Sequence, residues 1–396
     1  MKRIYTSLFL ATVSLVSTFA ANGSGFVGNG YYRICNFATS RYVYVTDNKD
    51  YYDLTHDKGD FQAIQLWKDI NRAVPDPASV IYIEEVSSGQ FDLKAQGTGV
   101  HELTGYYVGV QKQRNGTYIV SASDKGVTKY LSDDRTNDTP EGKMGTNNSG
   151  NFRKWIVDQI TTTHATNYFG VKPTIELNGM YYRPFFASFP FRPAAEGMNV
   201  YCVDRIQGSD AIMKKIEGDV PASTPVIIEC TSDNPSQNRL ELLNSTSAKV
   251  TGNKLSGVYF CNFGRQSQSV DAYTPFDAAT MRVFSVTDGK LVLTNDAPGR
   301  FEGLEVVELD EELGDWVYVT VDCFPANTSY LKTDASTPSE LNVCLEGTGL
   351  NDITKKNSKV AEGVYSLSGT QLRVNNDTEG LPAGLYIVGG KKVVIK

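Results

Sequence analysis

Between Tyr181 and Cys230 the chain reads YYRPFFASFPFRPAAEGMNVYCV, a polar hairpin, and then VPASTPVIIEC. This stretch leaves little room for anything but β structure. Its aromatic residues stand between Pro184, Pro190 and Pro193. Each proline fixes its own φ and pushes the preceding residue away from the helical region, so the backbone runs extended. Alternation returns at Val200 and Cys202 and again at Val226 and Ile228, the period of a half-buried strand. The same chemistry continues elsewhere: the chain holds 22 Tyr and 18 Phe, and no long segment has helical apolar periodicity. The expected fold class is all-β.

Residues 1–20 are expected to be removed before folding. Lys2 and Arg3 precede a short apolar run from Leu8 to Val16, and Thr18-Phe19-Ala20 ends on a small residue. This is the pattern of a secretory signal peptide cut between Ala20 and Ala21. The apolar run is short and interrupted by Ser and Thr, so no integral membrane span is expected after cleavage. The expected location is secreted or at the cell surface. Loss of Lys2 and Arg3 takes the formal charge from −7 to −9. An acidic chain without a basic patch excludes nucleic acid and anionic membranes as partners. Cys35, Cys202, Cys230, Cys261, Cys323 and Cys344 have no CxxC or zinc-type spacing. Four of the six sit in apolar runs and read as small buried hydrophobes. The one pairing expected is Cys202 with Cys230.

The mature length predicts two or three domains. Gly23-Ser24-Gly25-Phe26-Val27-Gly28 has the letters of a dinucleotide loop, but a β-like run follows where a helix is required. It reads as a flexible leader. Residues 30–160 form a first domain of short strands, with Asn115-Gly116 as its strongest hairpin signal. YYRICN, VIYIEEV and YYVGVQ open it at three places, which suggests a barrel of three repeats. Residues 161–167 are polar and read as a linker. A β-sandwich-like module is expected over 166–335, a linker over 336–358, and a small β tail over 359–396. Within the module, Val220-Pro221-Ala222-Ser223-Thr224 is echoed by Phe324-Pro325-Ala326-Asn327-Thr328.

YRICNFATSRYVYV, followed by Gln65-Leu66-Trp67 and then RKWIVDQI, resembles a ricin-type β-trefoil, whose repeats carry Gln-x-Trp. The resemblance implies that Trp67 and Trp155 pack the barrel core. FFASFPF, YCV and VPASTPVIIE, taken with MRVFSV, DGKLVL and FPANTSYLK, resemble a module of Bacteroidetes surface and secreted proteins. Tyr365-Ser366-Leu367-Ser368-Gly369, Leu381 to Val388 and Lys391 to Lys396 resemble, in order, the C-terminal sorting domain of type IX secretion.

Chemical motifs are sparse. His56, His101 and His164 have no metal spacing and read as turn residues. No nucleophile elbow, phosphate loop or HExxH is present. Carboxylates gather at Asp47, Asp50 and Asp53, at Asp133, Asp134 and Asp138, and from Glu308 to Asp315. Each cluster has the makings of a calcium site or a glycosidase acid pair, but a solvated turn is the simpler expectation. Tyr51 and Tyr52 lie within the first cluster, after Asp50, so Asp47, Asp50, Tyr51 and Tyr52 are the candidate ligand-binding residues. No catalytic residue, metal ligand or cofactor is assigned. The expected function is that of an exported, non-catalytic surface or secreted binding or structural protein, with a glycan or another surface protein as partner. A carbohydrate-binding, lectin-like role through the trefoil-like domain is second. A glycoside hydrolase or its accessory module is third.

Overall fold

A computed structural model describes residues 23–45, 64–67, 69–96, 108–124, 127–133, 143–145, 150–261, 273–346, 363–366, 371–388 and 391–395. The described chain is almost all β, as its composition predicts. The first unit comprises β1 (Gly30–Asn36), β2 (Tyr42–Val45), β3 (Ile64–Trp67), β4 (Ile81–Ser87), β5 (Gln90–Lys94), β6 (Val108–Lys112), β7 (Tyr118–Asp124), β8 (Val127–Ser132), β9 (Lys143–Gly145) and β10 (Trp155–Gln159). Antiparallel ladders run β1–β4–β5–β6–β7–β10 and return to β1, closing a ring of six strands. Closure leaves the ring no free edge. The β2–β3 ribbon extends from β1, and β8–β9 extends from β7.

The ring is filled by alternate residues such as Tyr32, Ile34, Ile81, Ile83, Leu93, Val120 and Val157. Trp155 is fully buried among them, and its indole N–H donates to the Leu131 carbonyl at 2.9 Å. The side chain of Trp67 lies outside the described residues. The leader is not loose. Gly25 N–H donates to the Val157 carbonyl at 3.0 Å, and Phe26 packs edge-on to Phe91 at 4.7 Å. Gly23 packs closely against Ile156 and Val157 of β10, and a Cβ on Gly25 would meet the Tyr118 hydroxyl.

Between β3 and β4 lie α1 (Ile70–Ala73) and a 3-10 turn, Pro77–Ser79, capped by the side chains of Asp69 and Asp76. Here the two units meet. Arg33 alternates outward from the ring and is fully buried against this turn and the segment after β10. It donates to Ser79 Oγ (3.0 Å), Asn167 Oδ1 (2.8 Å), the Tyr168 carbonyl (2.8 Å) and the Val74 carbonyl (3.1 Å). Burial lowers its pKa to about 10. Asn167 is itself buried and donates to the carbonyls of Asp158 and Gln159. Segment 161–167, read from sequence as a linker, is therefore anchored at its end.

The second unit comprises β11 (Phe169–Gly170), β12 (Ile175–Leu177), β13 (Met180–Phe185), β14 (Phe191–Pro193), β15 (Asn199–Gln207), β16 (Asp210–Lys215), β17 (Val226–Cys230), β18 (Arg239–Leu242), β19 (Leu255–Val258), β20 (Met281–Thr287), β21 (Lys290–Thr294), β22 (Glu302–Asp310), β23 (Asp315–Cys323), β24 (Thr328–Lys332) and β25 (Glu340–Leu345). One sheet runs β12-β13-β17-β15-β16-β25-β21-β20-β24-β19. Its two halves face each other across a core where Tyr182, Val203 and Met213 meet Phe284, Leu293 and Leu341. The small sheet β11-β18-β14 covers a second core of Phe169, Phe185, Phe189, Phe191 and Ile228, which also takes Val80 and Ile160 from the first unit. The Tyr181–Cys230 stretch thus feeds both cores. Among the described strands β22 and β23 pair with each other, and the resulting ribbon exposes Leu309, Trp316 and Tyr318.

Two expectations need correction. The region read as a linker from 336 contains β25, whose Leu341 is fully buried and whose partner β16 runs parallel to it. The module therefore reaches residue 345. Its Ser/Thr-rich flanks hid the alternation of Leu341, Val343 and Leu345. No Cys202–Cys230 disulfide forms; all six cysteines are free. β15 pairs with β17 through Asn199↔Glu229 and Tyr201↔Ile227. The two cysteines are out of step by about four positions, roughly 13 Å at strand rise, against a Cα limit of about 7 Å for a bridge. In the tail, β26 (Val364–Tyr365), β27 (Gln371–Arg373), β28 (Gly384–Val388) and β29 (Lys391–Ile395) form a separate four-stranded antiparallel sheet.

Candidate functional site

The four candidate ligand residues, Asp47, Asp50, Tyr51 and Tyr52, lie outside the described residues, as do Ala20 and Ala21. The second carboxylate cluster is resolved through Asp133. This residue is fully buried, pairs with Arg41 and accepts from the Thr39 hydroxyl. It is neither a solvated turn nor a reactive acid: it is a latch between the β1–β2 turn and the end of β8. In the third cluster, Asp310 accepts from the backbone N–H of Glu312 (2.9 Å) and Leu313 (3.0 Å) and so caps its own turn. His164 likewise accepts from the backbone N–H of Asn167 at 2.7 Å, as a turn residue does.

The structure instead opens a cavity of about 420 Å³ at the junction of the two units, within the size range of small-molecule sites. From the first unit come Tyr44 and Val45 at the end of β2, Asp76 and Pro77 of the capped turn, and Gln96 after β5. From the second come Arg183 of β13, the run Tyr259-Phe260-Cys261, and Ala326-Asn327. A comparable cavity of about 430 Å³ between residues 159–162 and 240–245 has neither an aromatic ring nor a cation in its described lining.

Local structure explains how the second unit presents its side of the cavity. Alternation along β13 puts Arg183 on the face of Tyr181 and Phe185, turned towards the first unit. Pro184 follows it on a stretch where β12 no longer pairs, as proline in a sheet requires. The repeated Pro-Ala motif has one geometry in both copies. Ser223 and Asn327 adopt left-handed backbone, at φ 57° and 55°. Each turn then contacts the chain after β13: Ser223 N–H donates to the Ala187 carbonyl (2.9 Å), and the Asn327 carbonyl accepts from Phe186 N–H (3.3 Å).

Polar groups bridge the cavity wall. Gln96 Nε2 donates to the Val45 carbonyl at 3.1 Å, and Asn327 Nδ2 donates to Gln96 Oε1 at 2.6 Å. The Tyr259 ring stacks against Phe186 at 4.2 Å, while its hydroxyl lies 2.7 Å from Ser223 Oγ. Arg183 is different. It makes no hydrogen bond and no ion pair among the described residues. Burial lowers its pKa, and the opposing field comes from Asp76, which stands beyond ion-pair distance. Arg183 is half-buried, and a partly desolvated cation without a paired anion is costly unless something else satisfies it. Burial also pushes the Cys261 thiol up to about 12, which favours its protonated form. The sequence signal for Arg183 was one charge inside the aromatic run Tyr-Tyr-Arg-Pro-Phe-Phe.

No protein-family profile and no curated protein matches the chain. A solved structure described as "Structure and mode of action of a mosquitocidal holotoxin" is similar over 78% of this chain and 34% of that one, at 12% identity and a TM-score of 0.26. The chain thus spans about a third of that protein's length. Likeness at that level carries no functional argument.

Proposed function

We propose that this chain is an exported, non-catalytic binding protein whose ligand site is the cavity between its two units. The observation that carries the reading is Arg183, an unpaired cation facing a cavity with aromatic and amide walls. Binding sites place a few convergent polar groups on an otherwise apolar wall in this way. Hydrolysis of a glycosidic bond calls for two carboxylates across the scissile bond. Among the described lining residues the only carboxylate is Asp76, and it caps the 3-10 turn. Export rests on the signal-peptide pattern and on the sorting-like tail. A lectin role through the first unit is the second reading, favoured by the closed six-strand ring with its two outlying ribbons, which fits a β-trefoil.

The test is a glycan and small-carboxylate array on the full mature chain beside Ala326→Phe. Ala326 is an exposed rim residue, so the added ring fills the cavity at little structural cost. Loss of the bound ligand in the variant supports the cavity; ligand binding that is indifferent to the plug moves the site to the barrel surface.

A further inference from the structure

Resting on that reading, we propose that the junction cavity is a carboxylate-recognition site, taking an acidic monosaccharide of the uronic or sialic acid class with its carboxylate on Arg183. The first argument is charge. Arg183 is planar and permanently cationic, and it presents two parallel N–H donors that match a carboxylate. The buried arginines near the junction are already engaged: Arg33 by four acceptors and Arg41 by Asp133. Half-buried Arg183 has no partner for its donors among the described residues.

The second argument selects a monoanion. Arg183 is the sole cation among the described lining residues, and Asp76 shares the cavity with it. A phosphate dianion would meet one positive and one negative charge, with no second cation to balance it. A carboxylate on Arg183 brings one negative charge fewer than that dianion past Asp76, so the monoanion is the less costly of the two. The capped turn after Asp76 offers no anion site either, since its first free N–H, that of Ala78, is taken by Asp76 itself at 2.9 Å.

The third argument concerns the rest of the ligand. An amide has four hydrogen-bonding positions. Gln96 uses two in holding Val45 and Asn327, and Asn327 uses its two N–H groups on Gln96 and the Phe186 carbonyl. Both side chains are buried, so these bonds brace the cavity wall across the two units and hold its shape for a ligand. Tyr44, Tyr259 and Phe260 supply the apolar surface on which a sugar's C–H face packs. The volume of about 420 Å³ fits one ring with its substituents rather than a chain.

Calorimetric titration of the full mature chain with glucuronate, galacturonate and N-acetylneuraminate tests this, with glucose, galactose and inorganic phosphate as comparisons. At least one acid is expected to bind no less than tenfold tighter than the neutral sugars and phosphate. Arg183→Gln should remove that preference, and Arg183→Lys should retain part of it as a point charge. Arg183 makes no bond among the described residues and burying its charge is unfavourable, so neither variant is expected to melt below wild type, and Arg183→Gln, which removes the charge, should melt at or above it. Equal affinity of Arg183→Gln for the acid overturns the proposal, as does tighter binding of phosphate or no binding of any acid. A neutral ligand lost in Ala326→Phe but kept in Arg183→Gln would sink the carboxylate assignment while leaving the cavity reading in place.

Discussion

Arg33→Met tests how the two units are joined. The substitution keeps length and apolar stem while removing the guanidinium. Four acceptors lose a donor, but they do not lose equally. Ser79 Oγ still donates to the Ala73 carbonyl at 2.7 Å, and the Val74 carbonyl still receives Gly170 N–H at 3.4 Å. Asn167 Oδ1 and the Tyr168 carbonyl are left without the arginine that served them. Each unsatisfied buried acceptor costs about 1–3 kcal/mol. Release from burying a cation returns part of that. A net loss of about 2–4 kcal/mol is expected by the same accounting. The contacts span both units, so the loss should also uncouple them. Urea unfolding followed by tryptophan fluorescence and circular dichroism should show one transition for the wild type and two for the variant. A variant within about 0.5 kcal/mol of wild type, as for an ordinary surface change, and with one coincident transition would refute the reasoning.

Three further outcomes follow from particular contacts. Asp133→Asn should cost about 3–5 kcal/mol, because Arg41 is left buried without its anion, and Arg41→Met in the same chain should recover part of that loss in chemical denaturation. Gly257→Ala should lower the melting temperature and weaken any cavity ligand, since a Cβ there would sit 2.2 Å from the Phe186 ring that supports Tyr259; an unchanged melting temperature would mean that Phe186 has room to move. Ellman's reagent at pH 8 should find six thiols in guanidinium and almost none in the native protein, because burial pushes Cys35, Cys230 and Cys261 up to about 12 and raises Cys202 and Cys323; four thiols in guanidinium would mean that a bridge forms.

What was legible in the sequence was local. Proline placement and alternation reveal the strands of Tyr181–Cys230, and the Pro-Ala echo proved to be one turn used twice, with Ser223 and Asn327 in the same backbone state. What was hidden depends on partners distant in sequence. β25 is a core strand because β16 and β21 lie on either side of it. VIYIEEV contains β4, whose pairing to both β1 and β5 in the ring no local pattern announces. Cys202 and Cys230 looked pairable until register set them apart. Asp133 looked solvated because Arg41, its counter-charge, is 92 residues away. The cavity itself is assembled from segments of both units, so no single motif announces it. Arg183, a charge inside an aromatic run, carries the one local signal, and the sequence reading does not single it out.

The most direct measurement is a crystal structure of the full mature chain with the tightest-binding acidic sugar from the calorimetric panel. The account predicts the ligand in the junction cavity, its carboxylate in hydrogen-bond contact with the Arg183 guanidinium and its ring against Tyr259 and Phe260. A ligand bound on the barrel surface, with the cavity holding only water and Arg183 unchanged, would contradict it.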